Sequence, residues 1–167
     1  LIDDIVATHQ RIDVLVHLLG AFAGGTSIPD TDDATMEKMF DLNFRSAFHM
    51  AQPVLPHMQR QRSGRILAIG SKAALEPGAM AGAYSASKAA LVSLIRTIAN
   101  ENKDFCISAN VVLPGTMDTP ANRAADPQAD FSKWVDPAQV AAMLLHLASD
   151  AAAQVTAAVI PVFGRDS

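Results

Sequence analysis

The chain has 167 residues, of which 50% are hydrophobic and 18% are charged, and its formal net charge is −4. This balance is typical of a globular protein and excludes a strongly basic surface for nucleic acid or anionic membranes. There is no apolar run of roughly 18 residues and no export signal, and the single cysteine, Cys106, cannot form an internal disulfide. We therefore expect a cytoplasmic protein without nucleic-acid or membrane partners.

Apolar runs of strand length alternate with longer helical segments along the chain. The predicted strands cover residues 13–19, 65–70, 107–113 and 155–162. The predicted helices run from about 32 to 61, from 82 to 102, and onward from a start at Asp136 and Pro137, an N-cap and a first-turn proline. Pro53 and Pro56 are expected to kink or end the first helix. The alternation predicts an α/β fold with a doubly wound parallel sheet.

The segment from Met117 to Val135 shows no clear period and is rich in Ala, Asp and Pro. We interpret it as a loop with a short helix lying over the active site. Internal repeats and low-complexity linkers are absent from the sequence, so residues 1–167 are predicted to form a single domain. The five histidines show no ligand-like clustering, and we expect no metal site.

Three polar residues stand out after the second predicted strand. Tyr84, the only tyrosine, is followed four residues later by Lys88 and preceded by Ser71, which ends the strand. Residues four apart lie on one face of a helix, so the ammonium is expected close to the phenol. A nearby cation favours the phenolate, and we therefore expect Lys88 to lower the pKa of Tyr84 and make it a general acid or base near neutral pH. Ser71 is placed to polarise a substrate carbonyl.

These residues resemble the short-chain dehydrogenase/reductase family, whose signature is a Ser, a Tyr-x-x-x-Lys motif and an upstream Asn. Asn43 stands at the place of that Asn. The resemblance covers essentially the whole chain, and it implies that Asn43, Ser71, Tyr84 and Lys88 are the catalytic residues. It also implies a Rossmann-like fold.

The resemblance extends to the residues expected to hold the cofactor, which is NAD or NADP without a choice between them. Pro114, Gly115 and Thr119 match the segment that lies against the nicotinamide, and Gly20 matches the glycine that follows the first predicted strand. With Tyr84 and Lys88 they form the implied cofactor site. The implied partners are a small carbonyl or alcohol substrate and further copies of the chain in a homodimer or homotetramer.

Several features depart from the family pattern. The chain lacks the Gly-rich turn that binds the cofactor pyrophosphate, so we expect that the N-terminal βαβαβ part of the domain is absent from it. Residues 17–20 read His-Leu-Leu-Gly where Asn-Asn-Ala-Gly is usual, and Ala157 replaces a usual Gly. Residues 118–134 are locally similar to dihydropteridine reductase, although that enzyme has Ala at the place of Ser71.

Three functions are therefore compatible with the sequence. The first is an NAD(P)-dependent oxidoreductase acting on a carbonyl or alcohol, with a pterin reductase as its variant. The second is a catalytically silent, truncated relative that serves as a scaffold or dimerisation partner. The third keeps the fold and uses Tyr84 as a base in an isomerase or dehydratase.

Overall fold

The computed structural model describes residues 1–165, and in this range it contains one parallel four-stranded sheet. In sheet order the strands are β1 (Val14–His17), β2 (Gly64–Ile69), β3 (Ile107–Pro114) and β4 (Val159–Val162). The helices are α1 (Ile2–His9), α2 (Asp33–Phe40), α3 (Ser46–Gln61), α4 (Gly82–Glu101), α5 (Pro120–Ala125) and α6 (Pro137–Ala148). All four predicted strands are confirmed, and so is the parallel sheet.

Helices cover both faces of the sheet, as the alternation of side chains along β2 and β3 requires. Ile66 and Ala68 of β2 belong to a buried cluster with α3 and α4, whereas the intervening Leu67 packs in a second cluster with α6. Every residue of β3 is buried, as expected for a central strand of a parallel sheet. The predicted doubly wound arrangement is therefore confirmed.

The helix predicted from 32 to 61 is interrupted, but not where the prolines suggested. The break is a π-helical turn, Asp41–Arg45, between α2 and α3. Pro53 and Pro56 lie inside α3, which continues to Gln61, so they do not end the helix, and a kink at these prolines stays a prediction. Each proline removes one backbone donor but keeps a helical φ, and α3 gains from the burial of its apolar face on the sheet.

The other predicted helices are confirmed. α4 covers almost the full predicted range, and α6 begins where Asp136 accepts a hydrogen bond from the Ala138 N–H at 2.8 Å, with Pro137 as the first helical residue. The segment Met117–Val135 contains α5 and a 3-10 turn, Phe131–Lys133, as expected of a loop with a short helix.

Two local features bear on the departures noted in the sequence. Ala157 has a φ of 57°, the left-handed conformation that glycine adopts without the steric cost paid by a side chain. On β1, Val14 and Val16 are 37% and 41% exposed because they face away from α3, and β1 pairs only with β2 within the described residues.

None of the helices in residues 1–165 is long and apolar enough to cross a bilayer. That part of the chain also contains no group of three or more His, Cys, Asp or Glu side chains arranged to hold a metal ion.

Candidate active site

The predicted site residues meet at the carboxyl ends of β1, β2 and β3. A cavity of about 750 Å³ opens there, at the edge of the sheet where parallel α/β folds bind their ligands. Seven of the eight predicted residues line it: Gly20, Ser71, Tyr84, Lys88, Pro114, Gly115 and Thr119. The eighth, Asn43, is fully buried and does not line the cavity.

Tyr84 and Ser71 present their hydroxyl groups to the same cavity. Tyr84 is the third residue of α4 and is half-buried, while Ser71 follows β2 and its Oγ accepts a hydrogen bond from the Ala73 N–H at 3.2 Å. Burial raises the pKa of Tyr84, and a hydrogen bond with the Ser71 side chain opposes that shift. The phenol therefore holds its proton at neutral pH. The expectation that Lys88 lowers the pKa of Tyr84 is wrong for this structure.

The position of Lys88 explains why it does not lower the pKa of Tyr84. Its side chain is 5% exposed, and Nζ donates a hydrogen bond to the backbone carbonyl of Ile69 at 3.1 Å. The ammonium is thus bonded to the end of β2. Burial lowers the pKa of Lys88 to about 8, because the charged form loses hydration. At pH 7 the site therefore contains a buried cation beside a neutral phenol.

Asn43 connects two elements that are distant in the sequence. Its Nδ2 donates to the Ala21 carbonyl and to the Ser87 Oγ, both at 3.0 Å, and its Oδ1 accepts from the Ala21 N–H at 2.8 Å. Both amide hydrogens are therefore used within the protein. The side chain attaches the loop after β1 to α4, one residue before Lys88.

Gly20 lies in the narrow space between Asn43 and Lys88. A Cβ atom added to Gly20 would stand 2.8 Å from Asn43 Oδ1 and 3.0 Å from Lys88 Nζ. The first distance is shorter than Cβ contacts in proteins and the second is tight, so the close approach of the backbone to Asn43 favours glycine here. The absence of a Cβ keeps the cavity open beside Lys88.

The opposite wall is formed by the end of β3 and the residues after it. The Gly115 N–H donates to the Val162 carbonyl at 2.9 Å, and a Cβ on Gly115 would stand 2.6 Å from the Phe163 carbonyl oxygen. Thr119 is the N-cap of α5, where its Oγ1 accepts from the Asn122 N–H at 3.2 Å. Its hydroxyl hydrogen is left to bond elsewhere.

The segment Met117–Val135, hereafter the lid, is folded mainly on itself. Arg123 donates two hydrogen bonds to the Asp118 carboxylate, from Nε at 2.5 Å and from Nη2 at 2.7 Å. Its guanidinium lies 4.6 Å from the centre of the Phe131 ring. Phe131 packs on Trp134 with ring centres 4.8 Å apart. Trp134 lines a separate cavity of about 380 Å³ rather than the larger one.

Three residues of this region were not predicted from the sequence. Phe22 packs edge-on against Tyr84 with ring centres 5.0 Å apart, Ser87 receives the Asn43 hydrogen bond, and His17 is 7% exposed at the end of β1. Nothing in the residue pattern marks Phe22. Ser87 could have been identified as a polar residue between Tyr84 and Lys88. His17 could have been identified from its place in the unusual His-Leu-Leu-Gly segment.

Similarity to known proteins agrees with this geometry. Residues 1–130 match the family model described as short chain dehydrogenase. The chain is 34% identical to the 3-oxoacyl-[acyl-carrier-protein] reductase MabA of Mycobacterium tuberculosis, with 95% of this chain and 68% of that protein covered. It is 31% identical to the acetoacetyl-CoA reductase of an Acinetobacter species, with coverage of 98% and 68%.

A solved structure described as ElxO with NADP bound superimposes with a TM-score of 0.91 at 25% identity, covering 98% of this chain and 70% of that one. The chain thus spans slightly more than two thirds of these proteins' length. None of these three proteins tests the local similarity to dihydropteridine reductase, which stays a prediction.

Proposed function

Because the chain belongs to the short-chain dehydrogenase/reductase family of NAD(P)-dependent oxidoreductases, we propose that it interconverts a carbonyl and an alcohol, with Tyr84 as the general acid or base. The observation that carries the proposal is the convergence of three groups in one cavity. The hydroxyls of Tyr84 and Ser71 and the ammonium of Lys88 all line it.

The residues around this cavity fit the nicotinamide half of the cofactor. Gly20 keeps the space beside Lys88 free of a side chain, and Pro114, Gly115 and Thr119 form the facing wall. The proposed cofactor residues are therefore Gly20, Tyr84, Lys88, Pro114, Gly115 and Thr119. When bound, the nicotinamide supplies or takes up the hydride.

The chain's own residues handle the substrate oxygen and its proton. Ser71 donates a hydrogen bond to the substrate oxygen, which places that oxygen against the Tyr84 hydroxyl. In the reductive direction Tyr84 gives its proton to the oxygen as negative charge develops there. At neutral pH the Tyr84 phenol is protonated, as donation of a proton to the substrate oxygen requires.

Lys88 and Asn43 have different proposed roles. The Lys88 ammonium, a donor of three hydrogen bonds, binds the cofactor ribose. Asn43, whose amide hydrogens bond to Ala21 and Ser87, is a positioning residue that keeps the loop after β1 next to Lys88.

The substrate proposal follows the curated relatives. These relatives are named as reductases of 3-oxoacyl and acetoacetyl thioesters. Phe22, which packs on Tyr84, and Met117 add apolar surface to the cavity wall, which suits a short acyl chain. Acetoacetyl-CoA is therefore the first substrate to assay.

The experiment is the Tyr84→Phe variant, assayed with acetoacetyl-CoA and with NADH or NADPH by the loss of nicotinamide fluorescence. Removal of the phenol hydroxyl is expected to lower kcat by about 10²–10⁴-fold, the usual contribution of a general acid. Circular dichroism and cofactor titration should match the wild-type protein. Retention of a tenth or more of wild-type turnover would show that the proton donor is misassigned.

We also propose a cytoplasmic homodimer or homotetramer. Two large apolar side chains on α2 and α3, Met36 and Phe48, are 38% and 41% exposed, which supports contact between copies through these helices. Light scattering of the purified protein tests the assembly, and a monomer at micromolar concentration would contradict it.

A further inference from the structure

His17 is a buried titratable side chain that the proposed chemistry does not use. It is the last residue of β1, 7% exposed, and its Nε2 lies 3.1 Å from Ser46 Oγ, at the start of α3. Burial lowers the pKa of His17, as does the charge of Lys88, while a backbone hydrogen bond at Leu19 opposes the shift. The ring is therefore neutral at pH 7 and carries one N–H.

Ser46 is the residue at which the π-helical turn ends. Its backbone N–H bonds to Asp41, five residues back, instead of to Leu42 as in an α-helix. The Ser46 hydroxyl bonds to the Leu42 carbonyl at 2.7 Å. The side chain thus supplies a donor to the carbonyl that has lost the Ser46 N–H through the shift of register.

A hydroxyl has one hydrogen to donate. The hydrogen bond at Leu19 raises the pKa of His17, so a ring N–H donates there, and in the neutral ring Nε2 is left as an acceptor for the Ser46 hydroxyl. The Ser46 hydroxyl thus lies between two acceptors, the Leu42 carbonyl and His17 Nε2, and joins the end of β1 to the π-turn.

The turn matters because Asn43 is at its centre. The Asn43 side chain reaches Ala21 and Ser87 from that position, and Gly20 lies against its Oδ1. An ordinary α-helix through residues 41–46 would rotate Asn43 relative to both partners, since a residue added to one turn changes the angular position of those that follow.

We propose that His17 is a positioning residue of the active site: its Nε2 accepts a hydrogen bond from the Ser46 hydroxyl and so ties the π-turn that presents Asn43 to the end of β1. Its effect on turnover rests on the function proposed above. The effect on the turn does not, and it can be measured without cofactor or substrate.

The experiment combines three variants at position 17 with Ser46→Ala. His17→Gln places an amide oxygen, a hydrogen-bond acceptor, the same number of bonds from Cβ as Nε2, His17→Asn is one bond shorter, and His17→Leu is apolar. The first readout is amide hydrogen exchange over residues 41–47 of the ligand-free protein. We expect faster exchange in His17→Leu, His17→Asn and Ser46→Ala, and near wild-type exchange in His17→Gln.

The second readout is kinetic, with acetoacetyl-CoA and NADPH. Each disruptive single variant should lower kcat/KM by roughly 10- to 100-fold, as expected when a catalytic group is displaced. The His17→Leu/Ser46→Ala double variant should lose no more than the worse single variant, because both act through one hydrogen bond. Rescue by Gln separates this role from simple packing, which Gln would not restore.

Two results would overturn the proposal: unchanged exchange over residues 41–47 in His17→Leu, or a double variant whose loss equals the product of the two single losses. The proposed function fails separately, if Tyr84→Phe stays active. In that case the exchange measurement still decides the role of His17.

Discussion

Two chain segments border the same cavity and are held in opposite ways. The loop after β1, from Leu18 to Phe22, is bonded through Ala21 to the buried Asn43, which belongs to a different element. The lid is held chiefly by its own side chains, such as Arg123 on Asp118 and on Phe131. Backbone bonds from Asp118 to Val135 and from Val135 to Thr116 join its two ends.

The difference separates the two tasks of the site. Groups that must keep a fixed geometry, Lys88 and Asn43, are buried and bonded to distant parts of the chain, so a change at one of them affects several elements. Most lid residues bond locally and are exposed, so we expect a change at those positions to leave the rest of the fold intact. A segment of this second kind can vary with the substrate while the chemistry is kept.

The largest effect on activity is expected for Lys88→Met, a substitution at a buried, hydrogen-bonded residue. Activity should fall by at least about 10²-fold, because the ammonium proposed to hold the cofactor ribose in position is lost. Stability should rise instead. A pKa of about 8 in the folded protein, against 10.5 for the ordinary side chain, corresponds to a cost of roughly 3 kcal/mol at pH 7 for keeping the buried ammonium.

The sign of the pH dependence follows. Between pH 8 and 10.5 the unfolded chain binds a proton that folded Lys88 has released, so Lys88 makes the wild-type protein more stable as the pH rises. The stability advantage of Lys88→Met in urea unfolding should therefore shrink from pH 7 to pH 10. Lys103→Met, at an exposed position, is the control and should show no such trend. An equal advantage at both pH values would contradict the assignment.

A smaller effect is expected from Gly20→Ala, on the loop that Asn43 holds. The new Cβ would press on Asn43 Oδ1 and Lys88 Nζ, and such overpacking typically costs about 1–3 kcal/mol. Urea unfolding should show this loss, and kcat/KM should fall with it. The matched control is Gly78→Ala, because no atom lies within 4 Å of the added Cβ there. Equal stability of the two variants would mean that the loop moves freely.

The smallest effect on stability is expected in the lid, from Arg123→Ala. The Arg123–Asp118 pair is exposed, with side chains 51% and 28% accessible, and such pairs contribute about 0–1 kcal/mol. The free energy of unfolding should change by less than about 1 kcal/mol, whereas the KM for the carbonyl substrate should change. Arg96→Ala, exposed on α4, should change neither quantity. A loss above 2 kcal/mol in the free energy of unfolding of Arg123→Ala would contradict the distinction between the two segments.

Much of the fold was predictable because its signals are local. The apolar runs of β2 and β3, the N-cap at Asp136 and the four-residue spacing of Tyr84 and Lys88 each lie within one element. The position of Ser71 at the end of a strand followed from the same pattern. Pro53 and Pro56 do not end the helix, because the burial of the whole α3 face outweighs the helix-breaking preference of a single proline.

The sequence by itself determined the parallel α/β architecture, because periodicity is a property of neighbouring residues, and through the family resemblance it identified seven of the residues that line the cavity. Only the tertiary structure decided how these residues act. The bonds of Asn43 join residues 22 and 44 positions apart, and the pKa shifts of Tyr84, Lys88 and His17 come first from burial. Desolvation depends on everything that packs around a group, which no local pattern encodes.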